Sequence, residues 1–326
     1  MSARVVELPP GVALVVTDLH GDWPLYARYR DLFLELRARG LAQTLVFTGD
    51  LIHGEGQPWE DRSLEIVLDV MRLQEALGPA LVVLLGNHEL PHLYHFALSR
   101  GDTVYTPRFE AALGERRAEV LAFFAERPFY ARTPAGVALC HTGAFPRAHD
   151  PEALARLWNF SHAAVREQLW SQLPPEARPA LRQALEKELG VPYRVVARHY
   201  LAISGPEDPR YDEYLFGALV GKQPDFELLW EAFFNTNERE YAAEDYVAHV
   251  GALLAGLSQG YAPQRVLVTG HVGCRDGYQV VADGQQLRIA SGAHAFPYEA
   301  GCYLLFDTTA PVKDARSLTA GLGSVF

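Results

Sequence analysis

Cysteine is scarce: Cys140, Cys274 and Cys302 are the only three in 326 residues. An odd number with no CxxC spacing excludes a disulfide framework and suggests reduced thiols in a cytoplasmic protein. Cys140 closes an apolar run beside His141 and reads as a buried core thiol. Basic residues are outnumbered, 29 Lys and Arg against 40 Asp and Glu, for a net charge of −11. Without a basic stripe, a nucleic-acid partner is not expected. Phosphate chemistry stays open, because bound divalent ions supply positive charge locally. No apolar run approaches the roughly 18 residues of a membrane span. The N-terminus lacks a basic stretch followed by an apolar one, so no signal peptide is expected. There is no repeat and no low-complexity tract. What remains, 49% hydrophobic and 21% charged residues, suits a globular chain with a full core, as one large domain or two smaller ones.

The first 145 residues alternate strand and helix patterns. Strands are expected at 12–17, 44–48 and 80–85. Helices are expected at 24–39, with Pro24 in the first turn and Gly40 as the stop, and at 63–77, capped by Ser63 and ended by Gly78. This order implies parallel strands with functional loops at their carboxyl ends. Residues 151–235 are rich in Ala, Leu, Glu and Arg. They predict helices near 151–172, 175–189, 192–203, 212–220 and 225–235. The β pattern resumes at 264–307, where Asp283-Gly284 between alternating runs signals a hairpin.

Five polar clusters follow five apolar runs: Asp18-Leu-His20-Gly-Asp, Gly49-Asp50, Gly86-Asn87-His88-Glu89, His141-Thr-Gly and Gly270-His271. Any one of them alone is commonplace; their ordered recurrence after strands is not. On an extended segment Asp18 and His20 would project to one side and share an ion. Asp50 could bridge two ions, Asn87 offers an amide oxygen, and His141 and His271 offer imidazoles. Such mixed ligands suit Mn, Fe or Zn better than Ca or an iron–sulfur cluster. Two divalent ions about 3.5–4 Å apart would clamp phosphate oxygens and activate a hydroxide nucleophile. His88, beside Asn87, would then protonate the leaving oxygen. His88-Glu-Leu-Pro-His92 also matches the HExxH zinc-protease pattern, but Pro91 lies inside it and the context is strand to loop, so that reading is rejected. His92 and His95 are then loop or helix histidines.

These residues resemble the calcineurin-like metallophosphoesterases, and within them the phosphoprotein phosphatase group. That pattern is GDxHG, GDxVDRG, GNHE, HGG and GH; this chain reads TDLHG at 17–21, GDLIHGE at 49–55, GNHE at 86–89, HTG at 141–143 and GH at 270–271. FFNTNERE at 233–240 is similar to the N-x-R segment, GHVGCRDGYQVV at 270–281 to the AHQxVxDGYE stretch, and IASGAHAF at 289–296 to the closing strand. The resemblance covers 12–146 and 233–307. It implies an α/β fold built on a four-layer β-sandwich flanked by helices, with mixed sheets. Residues 1–150 and 233–326 would form the catalytic domain; residues 151–232, which the resemblance does not explain, read from their composition as a helical insertion or cap. It also implies that Asp18, His20 and Asp50 hold one divalent metal (Mn²⁺, Fe²⁺/³⁺ or Zn²⁺), that Asp50, Asn87, His141 and His271 hold a second, and that Arg239 binds phosphate.

The chain departs from the pattern where the family has Asp-Arg, an Asp that orients the catalytic histidine and an Arg that binds phosphate. Here His53-Gly54 stands in a longer loop, HGEGQPWEDRSLE at 53–65. Asp61-Arg62 is either that pair displaced by an insertion, with Arg62 reaching the phosphate, or a solvated helix start. His53 orients His88, touches substrate or is an exposed loop histidine. The expected activity is metal-dependent hydrolysis of phosphomonoesters, phosphoproteins among them. The alternative is a hydrolase of nucleotides or dinucleoside polyphosphates, for which the aromatics Trp158, Phe160, Trp170, Tyr193 and Tyr200 would stack a base or, alternatively, form the core of the cap.

Overall fold

Alternation along the strands divides the apolar residues between two faces, and this division sets the layers. The structure, a computed structural model, describes residues 4–54, 56–57, 59–101 and 103–326. A five-stranded sheet runs in the order Leu322–Gly323, Tyr303–Asp307, Val12–Val16, Thr44–Phe47, Leu81–Val83. A six-stranded sheet runs Val5–Glu7, Tyr130–Arg132, Val137–Cys140, Val266–Thr269, Gln286–Ile289, Tyr278–Val281. Ala13, Val15 and Val46 of the first sheet share one buried cluster with Val137, Leu139, Val266, Val268, Leu287 and Ile289 of the second. Their neighbours Leu14, Val16, Leu45 and Phe47 point the other way, against Tyr26, Tyr29, Phe33, Ile66 and Val70 on helices. Each fully buried Val, Leu, Ile or Phe among them contributes roughly 1.5–3 kcal/mol of transfer free energy. The result is helix, sheet, sheet, helix, as the resemblance implies.

Both sheets are mixed. Val12–Val16, Thr44–Phe47 and Leu81–Val83 pair in parallel, while Tyr303–Asp307 is antiparallel to Val12–Val16. Val137–Cys140 and Val266–Thr269 are parallel to each other. The five carboxyl ends that carry the polar clusters therefore open on one edge of the sandwich. Thr17 ties the sheets together there: its Oγ1 donates to the Ile289 carbonyl at 3.1 Å and accepts from Ser291 N at 3.2 Å, and Ser291 Oγ accepts from Thr17 N at 2.9 Å. The expected hairpin joins Tyr278–Val281 to Gln286–Ile289, with Ala282 and Asp283 both at φ 50 as a tight turn demands.

The helices follow the sequence with local differences. Trp23–Ala38 is capped by Asp22, whose Oδ1 accepts from Leu25 N at 3.0 Å. Ser63 is not the cap of Ser63–Leu77 but lies inside the helix; Asp61 Oδ1 accepts from its amide at 3.0 Å. The stretch expected as one helix over 151–172 divides into Pro151–Trp158 and His162–Ser171, because Ser161 caps the second by accepting from Ala164 N. Arg178–Leu189, Tyr193–Leu201, Tyr214–Val220 and Pro224–Phe234 complete the helical stretch. Leu157, Val165, Leu169, Phe226 and Leu228 join the same apolar cluster that covers the sheets. Three helices between the third and fourth clusters, Leu90–Tyr94, Thr106–Leu113 and Arg117–Ala125, carry little sequence signal. Among the described residues no helix is long and apolar enough to cross a membrane. The three cysteines are buried and unpaired with one another, and burial pushes the Cys140 thiol up to about 12, so it is an inert core thiol.

Candidate metal centre

Each predicted ligand follows the end of its strand by one to four residues: Asp18 and His20 after Val16, Asp50 after Phe47, Asn87 after Val83, His141 after Cys140, His271 after Thr269. The backbone there is not extended. Asp18, His20, Asp50 and His271 have φ of 45, 44, 52 and 66, in the left-handed region. Strand alternation therefore does not bring Asp18 and His20 together; two left-handed bends do. Such conformations cost roughly 1–3 kcal/mol each and persist only where the surroundings hold them. Here the amides of Leu19 and His20 both donate to the Asp50 carbonyl at 3.0 Å. Glycine provides the space: a Cβ on Gly86 would collide with Asp50 N and Oδ1, and one on Gly270 with Asp18 Oδ2.

The side chains converge on Asp50. Its Oδ2 lies 3.2 Å from His141 Nε2, 3.6 Å from His20 Nε2 and 3.9 Å from His88 Nε2. Its Oδ1 accepts from the His88 amide at 3.0 Å. His141 Nε2 is 2.8 Å from Asn87 Oδ1, and His141 Nδ1 donates to the Thr48 carbonyl at 3.1 Å, which fixes its ring and leaves Nε2 facing the centre. Asp18 accepts from the His271 amide at 2.9 Å and 3.0 Å. Glu89, to which sequence reasoning gave no role, is a brace: it accepts from Gly86 N, Leu51 N and Asp50 N at 2.9, 3.0 and 3.2 Å.

The electrostatics are those of crowded donors. Burial would push the Asp50 carboxyl up, but the imidazoles of His141 and His88 outweigh it and hold it well below the usual carboxylate range. Burial also opposes charge on His141, yet Asp50, Asp18 and Glu89 raise it to about 9. His271 falls to about 3, from burial and then from His141. His88 also falls to about 3, where burial, with His20 and His141, outweighs Asp50.

A divalent pair fits this donor set. Asp50 Oδ2 is completely buried and accepts no hydrogen bond, although three imidazole nitrogens face it. An oxygen left without a donor and surrounded by further lone-pair donors is suited to a cation. Potential donor atoms of Asp50, His141 and His271 lie within 4.8 Å of one another, as do those of Asp18, His20 and His294. His294 is a candidate ligand that sequence reasoning missed, with Nδ1 3.4 Å from Asp18 Oδ1. Its one signal was a histidine among small residues just after a strand, in the SGAHAF stretch.

The remaining predicted residues separate into two groups. His53 is not an exposed loop histidine: it is 1% exposed, has φ 73, and its Nδ1 is 3.0 Å from His88 Nδ1. Asp61 makes no bond to His88. It serves Ser63 and lies 3.4 Å from Arg108 Nη1. Glu55 and Pro58 of this loop lie outside the described residues. Arg62 is half exposed, paired with Glu65 at 2.6 Å, and lines a cleft of about 620 Å³ that starts at His20 and is walled by Trp23, Trp59 and Tyr298. Arg239 is exposed and donates to the Gly273 carbonyl at 2.8 Å, two residues beyond His271. Its segment is pinned by Asn237, which donates to the Thr142 carbonyl at 3.1 Å. The aromatics of 151–200 pack inward, for example Trp170 on Phe216 and Tyr200 on Tyr214, so they form helical core rather than a base platform.

The sequence pattern of the calcineurin-like phosphoesterases matches residues 12–229. Among characterised relatives, a symmetrical bis(5′-nucleosyl)-tetraphosphatase from Methylococcus capsulatus is 32% identical over 132 residues, 40% of this chain and 44% of that protein. The match thus spans under half of that relative's length. A protein serine/threonine phosphatase from Saccharomyces cerevisiae aligns in structure with 98% of this chain and 82% of its own, at TM-score 0.51 and 14% identity. A mutant of a cold-active protein tyrosine phosphatase aligns with 95% and 78%, at TM-score 0.51 and 13% identity. At such identities the structural likeness speaks for the fold alone. With the ordered clusters and the sandwich that unites them, this match makes the chain a member of the calcineurin-like phosphoesterase family.

Proposed function

We propose that the protein is a metal-dependent phosphomonoesterase, with phosphopeptides among its substrates. The observation that carries this is the convergence of His20, His88 and His141 on the buried, unbonded Asp50 Oδ2. Asp18, His20 and Asp50, with His294 in support, would hold one divalent ion, and Asp50, Asn87, His141 and His271 the other. When bound, the pair supplies Lewis-acid polarisation of the phosphoryl oxygens and acidifies a water. Two carboxylates against two divalent ions leave a net charge of about +2, which suits a phosphate dianion. Arg239 binds its outer oxygens. His88, with Nε2 turned to the centre, gives a proton to the leaving oxygen. The group attached to that oxygen lies along the cleft past Arg62. Phosphate release from para-nitrophenyl phosphate by metal-stripped protein, with and without Mn²⁺, tests this; turnover that appears only with metal is expected, and absence of turnover in metal-loaded protein would overturn it.

A second reading has its own support. The cleft at His20 offers Trp23, Trp59 and Tyr298, and Trp59 is 76% exposed, as a stacking surface for a base needs to be. The tetraphosphatase relative agrees with this reading. Cleavage of a dinucleoside tetraphosphate with kcat/KM well above that of a phosphopeptide would favour nucleotides.

A further inference from the structure

Behind His88 lies a row of side chains for which the ligand cluster has no use. His88 Nδ1 is 3.0 Å from His53 Nδ1. His53 Nε2 is 2.8 Å from His92 Nε2. His92 Nδ1 is 2.8 Å from Glu110 Oε1, and Glu110 Oε2 accepts from Arg117 Nε at 2.9 Å. His53, His92 and Glu110 are 1%, 0% and 3% exposed, while the His88 side chain is 14% exposed. Phe109 packs its edge on both His53 and His92, and Tyr105 stacks on His53 at 5.2 Å. The row is closed to water at every member but His88.

We infer that Glu110, His92 and His53 form a proton relay that sets the tautomer of His88 and moves positive charge away from its ring. The inference rests on the reading of His88 as the acid of a phosphoester hydrolase. Hydrogen-bond bookkeeping gives the directions. The Glu110 carboxylate only accepts, so His92 Nδ1 donates to it. Neutral His92 then has a lone pair at Nε2, and His53 Nε2 donates to it. That leaves His53 Nδ1 as an acceptor, so His88 Nδ1 donates and His88 Nε2 is bare. One further proton, taken from solvent water at His88 Nε2, lets both inner bonds reverse. His88 Nδ1–H passes to His53 Nδ1, and His53 Nε2–H passes to His92 Nε2. His88 is then neutral with a proton on Nε2 facing the substrate, and the positive charge rests on His92 beside Glu110. When Nε2 gives its proton to the leaving oxygen, each inner proton returns one step and the resting row is restored. The protons balance, and charge is kept away from the metal-facing histidines. The Asp absent after Gly49-Asp50-Leu-Ile is thus replaced by a carboxylate three side chains from His88. His53, His92 and Glu110 are positioning residues, since none faces the centre.

Two measurements test the relay. The first needs neither metal nor turnover: ring-nitrogen NMR of ¹⁵N-histidine-labelled, metal-free protein. The expected pattern is protons on Nδ1 of His88 and His92 and on Nε2 of His53. Glu110→Gln and His92→Phe, each checked for folding by circular dichroism, should shift the His88 nitrogens; if His92→Phe does not fold, Glu110→Gln carries the test. A proton on His88 Nε2 in the resting protein, or His88 shifts unmoved by the variants, would overturn it. The second measurement compares leaving groups in Mn²⁺-loaded protein. An alkoxide needs a proton and para-nitrophenolate does not. The variants should therefore lower kcat for glycerol 2-phosphate roughly 10- to 100-fold and for para-nitrophenyl phosphate less than about threefold, with KM unchanged. An equal fall on both substrates, or on neither, would overturn the relay. If the wild-type protein hydrolyses neither substrate, the phosphomonoesterase reading fails, and the nitrogen spectrum alone decides the relay.

Discussion

The two sides of the His88 ring face regions built by opposite means. On one side lie Asp18, His20, Asp50 and His271, polar residues held in left-handed backbone at the ends of strands. On the other lie His53, His92 and Glu110, drawn from a loop, a five-residue helix and an eight-residue helix and sealed by Tyr105 and Phe109; of these three His53 alone, at φ 73, shares the left-handed backbone. The first region stores strain, and the sheets supply the rigidity that sustains it. The second is an extension of the core, in which every polar atom depends on its neighbour. Changes to the ligand cluster should therefore damage catalysis more than folding, and changes to the relay should affect both.

Asp50→Asn should separate the two most clearly. It should lower kcat on the order of 10³-fold while circular dichroism shows a folded chain; retained activity would reject Asp50 as the shared ligand. Arg239→Ala should lower kcat/KM roughly 10²-fold if the guanidinium meets the phosphate. Glu110→Gln should act on stability as well. Burial opposes the Glu110 charge, but His92 and Arg117 outweigh it and hold the carboxyl at about 2, below its ordinary 4.5. A depressed carboxylate stabilises the fold above about pH 4.5 and loses that contribution as pH falls through about 2. Urea unfolding should show a deficit on the order of 3 kcal/mol at pH 6 that shrinks by half or more at pH 3. A deficit independent of pH would place the effect in packing instead of charge. Arg62→Ala should have the smallest effect, about a threefold rise in KM, because an exposed cation is screened by solvent. No change in either kinetic constant would end its claim on the phosphate.

The cluster of candidate ligands was legible in the sequence because each of its residues lies within a few residues of a strand that announces itself by its apolar run. Asp18, His20, Asp50, Asn87, His141 and His271 could be found without knowing which strands are neighbours. The sandwich was legible through the family resemblance, and the hairpin through Asp283-Gly284. The relay was not. His92 was visible only as half of a misleading HExxH, and both histidines of that motif turn out to bond the same residue, His53. Glu110 lies on a helix, Thr106–Leu113, that carries little sequence signal, and His294 lies 23 residues beyond His271 on a return from another strand. By itself the sequence determined which metal-ligand-type residues follow the strand ends, since residue type and strand ends are local properties of the chain. Only the tertiary structure decided which atoms face one another across the two sheets and behind His88, because those distances come from packing between segments far apart in the chain.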